Sequence, residues 1–231
     1  MRNRKRACLL ALSAIVLTAC TIRPTIHGLP LEPTPADSAS ALTNRFARSF
    51  PPGVHFLSHH LERVYSYLRS ASPSFRAKMD QVIERQDFTI IVGYPHDFPA
   101  GTIALPMSGG IAHIEPLTSD DDPTRLWGAL VVFETSHLES AALQRGYPMP
   151  RLIQDLSTIL AHELYGHLVP IIESPNRRWP GPCGDIEEAS GMPSCAVVKE
   201  NLIRAELGLP PRQRASDLSP LGFIATSATH P

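Results

Sequence analysis

Apolar residues recur with two different periods along this chain, and the period changes mark its elements. Val54, Leu57, Leu61, Val64 and Leu68 are spaced by three and four, which predicts a helix over 54–68. Pro73 is suited to open a second helix, running to about Gln86. The period then shortens. Phe88 to Val92 is β-branched and bounded by Gly93-Tyr94-Pro95, a strand signature. Thr102 to Leu105 and Ile111 to Glu115 read as weaker strands around a Ser108-Gly109-Gly110 turn. Ser119 to Pro123 is an acidic loop, and Gly128 to Phe133, within Leu126 to Thr135, is the strongest strand pattern. From Pro150 onward Leu152, Leu156, Ile159 and Leu160 form one helical stripe. Ala196 to Leu207 is a last helix, stopped by Gly208 and Pro210. Helices, a small sheet and helices again, with no internal repeat, predict an α+β fold.

The ends change the picture of where the chain works. Arg2, Arg4, Lys5 and Arg6 precede an apolar run, Ala7 to Leu17, too short for an ordinary membrane span. The run closes on Leu17-Thr18-Ala19-Cys20, which resembles the bacterial lipobox. That resemblance implies a signal peptide over 1–19 and a lipid on Cys20, hence a cell-envelope protein tied to a membrane. Residues 20–45 are rich in Pro, Thr, Ser and Ala and read as a flexible tether. A single folded domain is expected over 46–214, with a disordered tail over 215–231. Losing four basic residues with the leader takes 21 basic against 22 acidic to 17 against 22, a formal net charge of −5. The mature part holds no basic cluster, so nucleic acid is not an expected partner. Cys183 and Cys195 are then the remaining pair, expected to form a disulfide in an oxidising compartment.

The candidate chemistry lies in His162-Glu163-Leu164-Tyr165-Gly166-His167. Two imidazoles around a carboxylate suit a zinc-hydrolase centre, but the usual spacing of the histidines is four. Five residues of regular helix turn through about 500°, leaving the rings about 140° apart. One extra residue taken up as a π-bulge would bring His167 beside His162, and Gly166 would tolerate that distortion. Glu163 falls on the apolar stripe, where a carboxylate needs compensation. On the last helix Ala196, Glu200, Ile203 and Leu207 share a face, so Glu200 points inward as the expected third ligand, with Arg204 one turn on to orient it. Glu187 and Glu188 are rivals for that role, in a Gly- and Pro-rich loop.

The pattern His162-Glu163-x-x-x-His167 with a later helix-borne Glu resembles the gluzincin metallopeptidases. The longer spacing, with Gly before the second His, resembles the motif of dipeptidyl peptidase III. Glu200 to Arg212, ENLIRAELGLPPR, is similar to the end of zincin-like domains in bacterial effector and toxin metallopeptidases. The resemblance covers about 55 residues, from Leu160 to Arg212. It implies a zincin-like domain, a zinc ion on His162, His167 and Glu200, Glu163 as general base, and a peptide or protein substrate. An edge strand would align that substrate, with Gly128 to Phe133 the candidate. Tyr165, Tyr147, His113 and His137 are the candidates to stabilise an oxyanion. The rival reading is a non-catalytic envelope lipoprotein, stabilised by a structural zinc site or a buried His–Glu network.

Overall fold

In the computed structural model the described residues are 39–103, 111–184 and 193–213. The leader, Cys20 and the tail over 215–231 lie outside them. Helix α1 (Ala39–Ala47) buries Leu42, Phe46 and Ala47. Ordered structure therefore begins inside the stretch expected to be a tether, because three apolar side chains at helical spacing find a core to enter.

The predicted helix over 54–68 divides into two elements. Strand β1 (Gly53–Phe56) comes first, then helix α2 (His59–Ala71) from an N-cap at Ser58. Val54 and Leu57 fit helical spacing with Leu61, yet Val54 and Phe56 also fit a strand, and pairing with a neighbouring strand decides the matter. Helix α3 (Pro73–Glu84) starts at the proline, capped by Ser72, whose hydroxyl accepts from the Phe75 N–H at 3.2 Å. Ser72 and Ser74 also donate to the Glu206 carboxylate, which joins the start of α3 to the last helix.

Strands β2 (Thr89–Gly93), β3 (Ala112–Thr118) and β4 (Leu126–Phe133) complete a mixed sheet in the order β1-β2-β4-β3. The first three in that order run parallel, and β3 runs antiparallel to β4 at one edge. Both faces of β2 are buried, which is why it reads as an unbroken apolar run. Of the hairpin expected over 102–115, the strand before the turn is absent at Thr102 and Ile103, and 104–110 lie outside the described residues.

The main core forms between one sheet face and the helices. Ile90, Val92, Ala129 and Val131 meet Leu61, Leu68, Leu156 and Leu160. Ile91, Leu130 and Val132 alternate to the other face and are also fully buried. Helix α4 (Ser136–Gln144) leads to α5 (Met149–Ala161), which continues as a π-helical segment (His162–Leu168) and then α6 (Val169–Glu173). Pro170 sits in the first turn of α6, directly after the π segment, so the helix runs on to Glu173. Helix α7 (Cys195–Glu206) closes on Gly208, at φ +69°, with the N–H groups of Gly208 and Leu209 bonded back to Ala205 and Arg204.

Candidate metal centre

The π segment does what the five-residue spacing requires. It brings Nε2 of His162 and Nε2 of His167 to 3.3 Å from each other, with the rings nearly perpendicular. Gly166 has a packing reason beside its tolerance of distortion. A Cβ there would lie 3.1 Å from the Ala196 carbonyl oxygen and 3.2 Å from the Ala196 Cβ. The glycine lets the start of α7 rest against the π segment.

Each imidazole is held from behind. His162 Nδ1 lies 3.0 Å from Oε2 of Glu200, and His167 Nδ1 lies 2.9 Å from the carbonyl oxygen of Cys183. A carbonyl can only accept, so His167 donates from Nδ1 and turns Nε2 toward His162. Glu200 is fully buried and takes Arg212 Nη1 at 2.6 Å and Arg204 Nη1 at 3.3 Å. A carboxylate met by two guanidinium groups accepts, so His162 also donates from Nδ1. The two Nε2 atoms therefore face each other at 3.3 Å, a separation that a shared proton or a cation between them would fit.

Glu200 is the residue expected as the third ligand. It does point inward from α7, as the wheel implied. It meets the nitrogen of His162 that faces away from His167, because the two nitrogens of one ring diverge. With a metal on Nε2, a carboxylate in that place would orient the ring. Arg204 holds Glu200 as expected and also donates from Nε to the Pro210 carbonyl at 2.7 Å. Arg212 makes the shorter contact and was not singled out, since it lies beyond the helix after two prolines. Among the described residues no group of three or more His, Cys, Asp or Glu is placed to hold a metal ion. Glu187 and Glu188 lie outside the described residues.

Cys183 and Cys195 form a disulfide with their Cα atoms 5.1 Å apart. It joins the residue whose carbonyl holds His167 to the first residue of α7.

Glu163 is buried, at 8 % exposure, and lines a cleft of about 320 Å³ with His167, His113, Ile114, Ile171 and Trp179. Two larger concavities, of about 560 and 510 Å³, lie away from the histidine pair. Chemistry and not size marks the site. Of the four residues expected to stabilise an oxyanion, only His113 borders this cleft. Tyr147 bonds Asp155, the Tyr165 ring lies under Lys199, and His137 is exposed on α4. Glu115, 3.4 Å from Nε2 of His113, holds that ring above the usual histidine range against the opposing effect of burial. Glu134 and Glu163 act in the same direction.

The edge strand beside the cleft is β3, whereas β4, expected in that role, is interior. Its strong apolar pattern reflects pairing on both sides. The Glu134 N–H donates to the Ile111 carbonyl at 2.9 Å, so the antiparallel alternation turns the backbone groups of Ala112 and Ile114 outward. Pro116 belongs to the same outward series, where its missing N–H removes no ladder bond.

The chain matches no protein-family model, no curated protein and no solved structure.

Proposed function

We propose that this protein is a zinc-dependent hydrolase with a zincin-like catalytic domain, acting on peptides. The convergence of the two Nε2 atoms carries the reading, because both rings are held from behind through Nδ1, as metal-bound histidines commonly are. His162 and His167 would hold the ion. Bound there, zinc would supply a Lewis acid and bring the pKa of a water close to neutrality. Glu163, in the adjoining cleft, would be the general base and would hand the proton on to the leaving amine. His113, whose affinity for a proton Glu115 raises, faces the same cleft as a candidate donor for the developing oxyanion. The outward backbone groups of Ala112 and Ile114 suit an extended peptide added alongside β3.

The test measures metal and turnover together. Purified protein should retain about one zinc per chain. Glu163→Gln should keep the zinc and lose peptide cleavage, and His162→Ala or His167→Ala should lose both. Stoichiometric zinc in both histidine variants overturns the centre. Zinc retained without cleavage of any peptide favours the rival, a stabilising site on the Glu200 network. The lipobox resemblance adds the proposal that Cys20 anchors the protein in a bacterial envelope, so Cys20→Ser should shift it from the membrane to the soluble fraction.

A further inference from the structure

Three large apolar side chains line the cleft beside its polar groups. Ile114 comes from the edge strand, Ile171 from α6, and Trp179 from the segment between α6 and the disulfide. The polar side is Glu163, His167 and His113. The backbone that carries Trp179 is held in place without a ligand. The Leu126 N–H donates to the Arg177 carbonyl, and the Trp179 N–H donates to the Thr124 carbonyl, both at 2.9 Å. These bonds tie the segment to the start of β4. Further along, a Cβ on Gly181 would fall 2.1 Å from Cγ1 of Ile171, so the backbone there lies directly on α6. Cys183 then fastens the same segment to α7.

We infer that Trp179, Ile114 and Ile171 form a preformed side-chain subsite that selects peptides with a bulky apolar residue beside the scissile bond. The inference rests on the zinc-hydrolase reading of the same cleft. A cleft of about 320 Å³ is at the small end for ligand sites, which suits one large side chain with its adjoining backbone. An apolar side chain entering a fixed apolar wall gains burial without ordering the wall. A carboxylate entering there would lose water without gaining a counter-charge from these three residues, and would approach Glu163. Glycine would leave the wall uncovered.

The experiment uses the full chain loaded with zinc and carrying Trp127→Phe. Trp127 lies outside the cleft, and its removal leaves Trp179 as the sole tryptophan of the two. The probes are the hydroxamates of N-acetyl-phenylalanine, N-acetyl-glycine and N-acetyl-aspartate, followed by tryptophan emission and by calorimetry, with zinc content measured in parallel. The phenylalanine probe should bind roughly tenfold or more tightly than the glycine probe, with the aspartate probe weakest, and should shift the Trp179 emission. Trp179→Ala should collapse the ratio by calorimetry, Trp179→Phe should restore most of it, and Ile114→Ala should reduce it on a chain that keeps the tryptophan. Equal affinities with zinc retained overturn the subsite alone, as does binding of no probe with zinc retained. Absence of both zinc and binding overturns the hydrolase reading and the subsite with it.

Discussion

The Cys183 carbonyl oxygen accepts a hydrogen bond from Nδ1 of His167 at 2.9 Å, and Cys183 is disulfide-bonded to Cys195, five residues before Glu200. Glu200 in turn accepts from Nδ1 of His162. One covalent link thus connects the two groups that orient both imidazoles. The bridge fixes the start of α7 and the backbone behind His167 together.

Reduction should therefore weaken zinc binding before it unfolds the domain. Closing a loop between residues 12 apart is worth on the order of 3 kcal/mol in the chain-entropy view. Zinc affinity and thermal unfolding, each with and without reductant, check the order of events. Two free thiols in protein matured in its export compartment would refute the bridge, and unchanged affinity on reduction would refute its orienting role.

Glu200→Gln should lower zinc affinity by roughly 10- to 100-fold without abolishing it, since the residue orients a ligand in place of being one. The histidine variants lose zinc outright. Glu200→Ala should also destabilise the fold, because Arg204 and Arg212 would keep buried charge without their anion. Calorimetric zinc titration of the folded Glu200→Gln protein decides the point. Complete loss there, with affinity unchanged in Glu187→Ala and Glu188→Ala, would return Glu200 to the coordination shell.

Gly166→Ala separates two readings of the glycine. In an ordinary exposed helix the change would stabilise by about 1 kcal/mol. Here the new methyl meets backbone and Cβ of Ala196 at 3.1–3.3 Å, and neither is the far end of a flexible side chain. Crowding of this kind costs about 1–3 kcal/mol, so the melting temperature should fall and zinc affinity with it as α7 is pushed away. A melting temperature that stays level or rises would show that α7 yields freely.

His113 makes stability depend on pH with a definite sign. Its folded pKa is raised above 6.5, chiefly by Glu115. The folded state then binds the proton more tightly than the unfolded chain does. The contribution is fully present below about pH 6.5 and fades as pH rises through the raised value. His113→Gln should flatten that part of the stability curve, measured by denaturant unfolding from pH 5 to 9. An unchanged curve would mean that Glu115 does not hold the charged ring.

Local signals defined five elements to within a few residues: apolar spacing for α5 and α7, apolar and β-branched runs for β2 and β4, and a helix-opening proline for α3. The five-residue histidine spacing likewise demanded a π segment, since a helix of 3.6 residues per turn cannot otherwise bring His167 to His162. Contacts between elements were not legible. Val54 and Phe56 obey helix and strand spacing alike, and only pairing with Ile90 and Val92 makes them β1. The burial of β4 gave no sign that β3 lies outside it, because edge position depends on strand order and not on composition. The wheel turned Glu200 inward, but which nitrogen of His162 it meets depends on where α7 crosses the π segment, at Gly166 and Ala196. Arg212 and the Cys183 carbonyl enter the site from irregular backbone, where no repeat exists to announce them. Local sequence determined the segments and the inward direction of their side chains. The partners those side chains meet were decided by the packing of segments distant in sequence.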